Sequence, residues 1–162
     1  MNYRPYLPDD FAQLYAIEEE CFQPPLRFDR RYMRRLIDGA HTATWIAEEE
    51  ARMAGFAVVE WKVESGEAVA YIQTIEVAPS QRRRGVGDEL LRRIESSAQA
   101  VEVAEIWLHV DAQNDAAILL YRAHGYHLAG RQENYYGRSR SAEVYSKSLA
   151  AGRGSELRSP PN

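Results

Sequence analysis

Apolar and polar positions near the start of the chain repeat with helical spacing. Apolar side chains recur at intervals of three and four residues over 11–17 and again over 32–37, which predicts two amphipathic helices. Asp9 or Asp10 precedes the first helix and Asp29 the second, and aspartate is a favoured N-cap residue. We therefore expect a helical start to the domain after a short first strand.

Beyond residue 40 the pattern changes to the two-residue alternation of strands, interrupted by two further helical stretches. Along 68–77 this alternation places Tyr71, Gln73 and Ile75 on one face. Glu76 falls on the opposite face. The predicted strands are 2–7, 42–47, 54–61, 68–77, 105–111, 126–129 and 142–149, and the predicted later helices are 88–100 and 116–124.

This order of elements predicts a mixed α/β fold. We find no internal repeat or domain boundary within 1–149, and 162 residues suit one compact core. The stretch 150–162 consists mainly of Gly, Ser, Pro and Arg, so we expect a disordered C-terminal tail.

Composition and charge narrow the class of protein. The formal net charge of -4 argues against a nucleic-acid partner, so an anionic ligand would need a local basic site. One cysteine excludes an intrachain disulfide, and the four histidines lack zinc-site spacing. No apolar run reaches the roughly 18 residues of a membrane span, and no signal-peptide core follows Met1. We expect a cytoplasmic protein without metal or membrane partner.

Two features near the N-terminus favour ordinary roles. The acidic run 18–20 is expected on the solvated side of the first helix, where it could attract a cationic substrate. Cys21 has no base placed beside it in the sequence, so it is interpreted as a small buried residue rather than a nucleophile.

The most informative segment runs from Val77 to Leu91, where a strand, a basic turn and a long helix follow one another. Amide N–H groups at a helix start bind anions, and Gly85 and Gly87 let the backbone approach a phosphate. Arginines 82–84 add charge-assisted hydrogen bonds. The segment lacks the Gly-Lys-Ser/Thr ending of a Walker loop and the third glycine of a dinucleotide loop. An arginine-rich nucleic-acid patch and a solvated basic turn remain open.

The motif Arg82-x-x-Gly85-x-Gly87 resembles the acetyl-CoA loop of the GCN5-related N-acetyltransferases. A second block, from Asn114 through Tyr121 to Gly125-Tyr126, is similar to that family's Asn-x-x-Ala-x-x-x-Tyr-x-x-x-Gly-Phe segment. The resemblance covers about residues 3 to 149. It implies a single-domain α/β fold with a mixed, mostly antiparallel, splayed sheet flanked by helices.

The resemblance also implies acetyl-CoA as co-substrate and no metal. In the family the backbone of the strand before the loop binds the pantetheine arm, the loop amides hold the pyrophosphate, and a helix tyrosine approaches the thioester sulfur. The implied cofactor-binding residues are Ile75, Val77, Arg82, Arg83, Arg84, Gly85, Val86, Gly87, Asp88, Asn114 and Tyr121.

Amine acetylation needs a base for the amine proton and an acid for the leaving thiolate. His109 lies mid-strand in an apolar run, where a core histidine with one hydrogen bond is the alternative interpretation. Tyr71 stands where histone-acetylating relatives carry a glutamate base, and we expect it to position a water while His109 takes the proton. Tyr121 matches the family's general acid, although a core aromatic is the alternative. Glu76 is a second candidate base, but a structural or solvent-facing carboxylate fits its face better.

Three segments resemble the branch of protein N-terminal acetyltransferases: Tyr71-Ile72-x-Thr74, Leu108-His109-Val110 and Asn134-Tyr135-Tyr136. The eukaryotic members that act on Met-starting N-termini share Tyr and His, whereas the bacterial ribosomal-protein enzymes carry Glu at the His109 position. The implied peptide-contacting residues are Leu26, Phe28, Gln73, Tyr135 and Tyr136. Pro24-Pro25 replaces the Phe-Pro of the Met-specific loop, so the first-residue pocket is expected to differ.

The sequence leaves four functions open. The first is acetylation of protein or peptide N-terminal amines, with acetyl-CoA and a peptide or protein N-terminus as partners. The others are acetylation of a small amine such as a polyamine, amino sugar or amino acid, acetylation of internal lysines, and acyl-CoA binding without turnover. Neither the acceptor nor the oligomeric state follows from the sequence.

Overall fold

The computed structural model describes residues 1–149, so the predicted tail lies outside the described residues. In the described part seven strands and four α-helices follow one another, with single 3-10 turns at Pro8–Asp10 and Pro79–Gln81. The elements are β1 Asn2–Pro5, α1 Phe11–Cys21, α2 Arg30–Ile37, β2 Thr42–Glu49, β3 Arg52–Glu64, β4 Glu67–Val77, α3 Val86–Ala100, β5 Glu105–Asp111, α4 Asp115–Ala123, β6 His127–Gln132 and β7 Ala142–Ser148.

The strands form one seven-stranded sheet in the order β1-β2-β3-β4-β5-β7-β6. The pairs β1/β2, β2/β3, β5/β7 and β6/β7 are antiparallel, whereas β4 and β5 run parallel. The β4/β5 ladder extends from Val69↔Glu105 to Ile72↔Leu108. The predicted fold class, a mixed and mostly antiparallel sheet flanked by helices, is confirmed.

The chain divides into two compact units, each with its own buried residues. The first unit comprises Met1–Glu60 and Gln73–Ser97. Apolar side chains from α1, α2, β2 and β3 form its main hydrophobic cluster, because the helical and strand periodicities each turn one apolar face inward. This cluster includes Phe11, Leu14, Met33, Ile46 and Phe56.

The second unit comprises Trp61–Ile72 and the chain from Ala98 onward. Its buried residues come from the start of β4, from β5 and β7, and from α4. The largest fully buried side chain in the described part of the protein, Tyr145, belongs to β7 of this unit.

Helix starts follow the sequence prediction in one case and depart from it in another. Asp29 caps α2, since its Oδ1 accepts from the backbone N–H groups of Arg31 and Tyr32 at 3.0 and 3.2 Å. Asp10 occupies the N-cap position of α1 but makes no side-chain cap bond. Its carboxylate instead accepts from the Leu7 N–H at 2.7 Å and pairs with Arg4 at 2.8 Å. That ion pair consumes the oxygens that a cap would need.

The acidic run on α1 is split between surface and core. Glu19 and Glu20 are exposed, as predicted, but Glu18 is completely buried, so the prediction of a solvated face is wrong at that position. Glu18 follows Ile17 on the inward side of the helix, where a backbone N–H of the next loop reaches it.

Candidate active site

Tyr71 and His109 form a hydrogen-bonded pair in the second unit. Tyr71 lies opposite Trp107 in the parallel β4/β5 ladder, and His109 follows two residues later on the same face of β5. The Tyr71 hydroxyl and His109 Nδ1 are 2.6 Å apart. The two strands therefore bring together the two predicted proton-handling residues.

Burial fixes where the protons of this pair reside. It raises the pKa of Tyr71, an effect reinforced by Tyr135 and Tyr136, and it lowers the pKa of His109, opposed by Gln132. At neutral pH the phenol is therefore protonated and the imidazole neutral. The Tyr71 hydroxyl donates to Nδ1, and the Nε2–H of His109 donates to Gln132 Oε1 at 3.0 Å.

The turn between β6 and β7 covers His109 with aromatic rings. Tyr135 stacks on the imidazole with ring centroids 4.4 Å apart and an interplanar angle of 9°. Tyr136 meets Tyr135 edge to face at 4.9 Å. Tyr135 remains 48% exposed, so its ring separates the imidazole from solvent while presenting its own outer face. Both predicted hairpin tyrosines thus lie at the Tyr71–His109 pair.

Hydrogen bonds hold this tyrosine turn in place. Asn134, in a left-handed conformation with φ of 55°, accepts from the Ser139 N–H at 2.8 Å through its side chain. Arg140 donates to the carboxylate of Asp111, at the end of β5, with a shortest distance of 2.7 Å. The turn is therefore anchored to the strand that carries His109.

Tyr121 and Asn114 lie on α4 of the same unit. Tyr121 is 6% exposed and packs edge to face on Tyr126 at 5.6 Å, and burial raises the pKa of its phenol. It stays protonated, as a proton donor must. Asn114 caps α4, with its Oδ1 accepting from the Ala117 N–H at 3.2 Å. Its predicted contact with the pantetheine arm stays a prediction.

The predicted phosphate loop belongs to the first unit. Gly85 has a φ of +77°, and a Cβ added there would meet no atom within 4 Å. Helix α3 begins at the next residue, Val86, two residues earlier than predicted. The amides of Val86 and Gly87 therefore belong to the first turn of a helix, and Gly85 leaves space in front of them. This geometry suits the pyrophosphate of acetyl-CoA.

The loop arginines differ in their contacts. Arg82 donates to the Val77 carbonyl at 3.1 Å and to Cys21 Sγ at 3.6 Å. Arg84 forms a two-pronged ion pair with Glu49, at 2.9 Å for each bond. Arg83, exposed and with a φ of 61°, forms the tight turn. Arg82 and Arg84 thus hold the loop through contacts within the protein, and the predicted contacts of arginines 82–84 and of the backbone amides with a phosphate stay a prediction.

The predicted peptide-contacting residues of the first unit are held by local contacts. The Phe28 N–H donates to Glu18 Oε1 at 2.6 Å, and its ring stacks on Tyr32 at 5.4 Å. The Leu26 N–H closes a turn onto the Gln23 carbonyl at 2.9 Å. Gln73 is half-buried and donates to Glu60 at 3.4 Å. Their contacts with an acceptor stay a prediction.

Glu76 is buried on the face of β4 opposite Tyr71, as the alternation predicted. Of the two expectations for this residue, the solvent-facing carboxylate is wrong. Cys21 is half-buried, and mainly burial raises the pKa of its thiol to about 11, so the thiol stays protonated. This protonation state agrees with its interpretation as a packing residue.

The described residues contain no group of three or more His, Cys, Asp or Glu side chains that could hold a metal ion. Within residues 1–149 no helix combines the length and apolar character that crossing a bilayer requires.

The acetyltransferase (GNAT) family model matches residues 11–126, which is more than half of the chain. The match includes the phosphate loop, Tyr71, His109 and Tyr121. The chain belongs to the acetyltransferase (GNAT) family.

Curated relatives include acetyltransferases from plants and bacteria. Histone acetyltransferase MCC1 of Arabidopsis thaliana is 25% identical over 81% of this chain and 65% of its own length. The ribosomal protein bS18-alanine N-acetyltransferase of Escherichia coli K12 is 36% identical over 54% of this chain and 57% of its own. N-alpha-acetyltransferase RimI of Mycobacterium tuberculosis is 28% identical over 83% of this chain and 78% of its own length. The chain thus spans less than two thirds of the first two relatives.

Solved structures share the fold along almost the whole chain. NAA60 of Arabidopsis thaliana in complex with acetyl-CoA superposes with a TM-score of 0.80 and 20% identity, covering 91% of this chain and 98% of that one. The ribosomal-protein-S18-alanine N-acetyltransferase of Escherichia coli superposes with a TM-score of 0.78 and 25% identity, covering 97% of this chain and 98% of that one. The splayed-sheet architecture is therefore that of the family.

Proposed function

We propose that this chain is an acetyl-CoA-dependent N-acetyltransferase that acetylates the N-terminal amines of proteins or peptides by direct transfer. The observation that carries the proposal is the Tyr71–His109 pair, joined at 2.6 Å and covered by Tyr135. A neutral imidazole aligned by a phenol is a base that operates near neutral pH. The similarity to the bacterial ribosomal-protein alanine N-acetyltransferase and to N-alpha-acetyltransferase RimI favours this class of acceptor.

The pair explains how the acceptor amine loses its proton. As the amine nitrogen bonds to the thioester carbon, its proton passes to the Tyr71 oxygen, and Tyr71 gives its own proton to His109 Nδ1. Tyr71 therefore never has to ionise, which its raised pKa disfavours. The sequence predicted that Tyr71 positions a water while His109 takes the proton; in the proposed relay the Tyr71 hydroxyl itself carries the proton.

The leaving thiolate needs a proton donor rather than a base. When the carbon–sulfur bond breaks, the sulfur of CoA takes the proton of the Tyr121 hydroxyl. The proton that His109 took from the amine through Tyr71 returns through solvent to Tyr121, so both side chains end neutral. Burial keeps that phenol protonated, because it raises the pKa of Tyr121. The phosphate loop binds the pyrophosphate through the amides that follow Gly85.

Acceptor recognition is assigned to two separately described segments. Tyr135 and Tyr136 contact the acceptor backbone in the second unit, and the loop containing Leu26 and Phe28, together with Gln73, does so in the first. We place the reaction in the cytoplasm as part of the same proposal, and cell fractionation tests that placement.

Thiol release from acetyl-CoA tests the acceptor class. Short peptides that differ in their first two residues are compared with N-terminally blocked peptides carrying internal lysines, with polyamines and with amino sugars. We expect turnover on free N-termini that disappears on blocking. Turnover confined to internal lysines or to a small amine would replace the acceptor in this proposal, and acetyl-CoA binding without any turnover would identify a binding module.

A matched pair of glycines tests the phosphate loop. Gly66 and Gly85 have nearly the same φ, +81° and +77°, and both face open space. Gly66→Glu and Gly85→Glu therefore carry similar backbone strain. We expect only Gly85→Glu to abolish acetyl-CoA binding in calorimetry, because only this carboxylate would meet the phosphates. Equal losses in both variants would contradict the loop assignment.

A further inference from the structure

Two carboxyl groups meet inside the first unit. Glu18 of α1 is 0% exposed and Glu76 of β4 is 2% exposed, and the two carboxyl groups are close enough for Glu18 to raise the pKa of Glu76. One oxygen of each carboxyl group has a donor: Glu18 Oε1 accepts from the Phe28 N–H at 2.6 Å, and Glu76 Oε1 accepts from the Thr74 hydroxyl at 2.8 Å. The mechanism proposed above uses neither glutamate.

The remaining oxygens need a shared proton. Glu18 Oε2 and Glu76 Oε2 are buried, and no N–H or O–H of residues 1–149 donates to either. Two carboxylate oxygens only accept, so they can bond to each other only when one carries a proton. Burial, and then Glu18, raise the pKa of Glu76 well above 4.5, which assigns the proton to Glu76. A proton on Glu76 Oε2, donated to Glu18 Oε2, would satisfy both oxygens.

This carboxyl pair joins two segments with different predicted tasks. Through the Phe28 N–H it holds the end of the loop that contains Leu26 and Phe28, to which acceptor recognition is assigned. Through the backbone of Glu76 it is part of the β4 stretch, from Ile75 to Val77, to which acetyl-CoA binding is assigned. The contact between the two carboxyl groups thus links the predicted acceptor loop to the predicted acetyl-CoA strand.

A second set of contacts ties the same elements together at the end of β4. The Cys21 thiol donates to the Val77 carbonyl at 3.5 Å, and Arg82 donates to the same carbonyl at 3.1 Å. Across β4, a Cβ at Gly55 would lie 2.5 Å from the Glu76 carbonyl oxygen, so β3 packs closely against this stretch. The β4 end therefore has little room to move independently of α1.

We propose that Glu18 and Glu76 are positioning residues that couple acetyl-CoA binding on β4 to the placement of the acceptor loop at Phe28. The assignment of the two ligands rests on the proposed function, whereas the coupling of the two segments rests on the Phe28–Glu18 hydrogen bond and on the contact between the two buried carboxyl groups. Acetyl-CoA fixes the backbone around Glu76, Glu76 holds Glu18, and Glu18 holds the Phe28 N–H.

Two variants separate the effect of a hydrogen bond between residues 18 and 76 from the effect of the titrating proton on Glu76. Glu76→Gln places an amide N–H opposite Glu18 Oε2 and so keeps a donor without a titrating proton. Glu76→Met has nearly the same length and cannot bond to Glu18. Glu19→Ala, at the exposed neighbour on α1, is the matched control. Among the described residues, titratable groups that interact with the pair include Tyr15, with Glu18, and Cys21, with Glu76; Arg82 lies beside Cys21.

Amide hydrogen exchange at Phe28 measures the coupling without a catalytic readout. Without ligand, and relative to the core amide of Leu14, we expect Glu76→Met to lower Phe28 protection about tenfold and Glu76→Gln to keep it within about twofold. Saturating acetyl-CoA should raise the protection about tenfold in wild type and Glu76→Gln, and leave it unchanged in Glu76→Met. Equal behaviour of Glu76→Met and wild type in the ligand-free arm would overturn the proposal.

Kinetics separate this inference from the proposed function. In Glu76→Met we expect the acceptor KM to rise about tenfold with kcat within about threefold, and Glu76→Gln to restore the KM. A fall in kcat alone, shared by both variants, would overturn the positioning role. If wild type neither binds acetyl-CoA nor transfers acetyl groups, the proposed function fails, while the ligand-free exchange at Phe28 still decides whether the carboxyl pair holds the loop.

Discussion

Two buried pairs of titratable side chains, one in each unit, keep their protons in different ways. Tyr71 and His109 are both neutral at neutral pH, since burial raises the pKa of the phenol and lowers the pKa of the imidazole. In the second pair burial, and then Glu18, raise the pKa of Glu76, so Glu76 keeps its proton to higher pH than an exposed glutamate. The first pair has no net charge to desolvate, whereas the second is desolvated with two oxygens that no N–H or O–H of residues 1–149 reaches.

The difference matches the access of each pair to a substrate. Tyr135, which covers His109, is half-exposed, so a ligand can reach the second unit's pair by displacing or contacting a surface ring. Glu18 and Glu76 are closed off from solvent, and each has one buried oxygen to which no N–H or O–H of residues 1–149 donates. The pair proposed to exchange protons with a substrate is therefore neutral and near the surface, and the pair proposed to hold backbone segments is enclosed.

The largest effect should follow from removing the imidazole. We expect His109→Ala to lower kcat about 100-fold, the magnitude of general acid–base catalysis, while acetyl-CoA affinity changes little. His127→Ala, an exposed histidine on β6, is the control and should retain full turnover. Full activity of His109→Ala in the thiol-release assay would refute the base assignment.

Removing the phenol hydroxyl should cost less, because the imidazole remains. Tyr71→Phe deletes the donor to Nδ1, and we expect kcat to fall about tenfold. The neutral imidazole also loses a hydrogen bond, so the pKa of His109 should rise and the acid limb of kcat/KM should move to higher pH. The limb is measured from about pH 5 to about pH 8. A Tyr6→Phe control should move neither quantity.

The Glu18–Glu76 pair should make the free energy of unfolding depend on pH. The folded-state pKa of Glu76 lies above 4.5, the ordinary value that applies to the unfolded chain. Between pH 4.5 and the folded-state pKa, the native protein therefore binds more protons than the unfolded chain. Its contribution is complete below pH 4.5 and is lost as the pH rises through the folded pKa. The slope of the unfolding free energy is at most about 1.4 kcal/mol per pH unit.

Glu76→Gln should flatten this slope in urea unfolding measured at several pH values. His109 contributes equally to the wild type and the variant, so the difference between them isolates Glu76. The exposed Glu19→Gln should leave the wild-type slope unchanged. Parallel curves for wild type and Glu76→Gln would show that no proton is held at this position.

Sequence patterns predicted the framework and the second unit's pair because both depend on local periodicity and motif spacing. Strand alternation placed Tyr71 and Glu76 on opposite faces of β4, and β5 was predicted at its observed bounds, Glu105–Asp111. The phosphate loop was predicted because its glycines and the following helix are adjacent in sequence. The family likeness added the pairing of Tyr71 with His109, which are 38 residues apart.

The remaining features depend on contacts between distant segments. Glu18 belongs to a run of three glutamates. Its contacts with the Phe28 N–H and with Glu76, which distinguish it from its two exposed neighbours, come from segments distant in the sequence. Gln132 lies at the end of β6, 23 residues from His109, and no motif marks it as a partner of the imidazole. Side-chain hydrogen bonds of this range have no periodic signature in the sequence.

Substitutions at Gln132 should have the smallest effect, because they change the pKa of His109 without removing either member of the Tyr71–His109 pair. Its Oε1 accepts from the Nε2–H of His109 and raises the pKa of the imidazole against the effect of burial. Gln132→Leu should therefore lower the pKa of His109 further and move the acid limb of kcat/KM to lower pH, with kcat reduced only about threefold. Gln132→Glu should move the same limb to higher pH, because a carboxylate facing Nε2–H stabilises the imidazolium. Opposite shifts in the two variants would establish that His109 titrates in the active enzyme, and coincident limbs would assign the proton to another group.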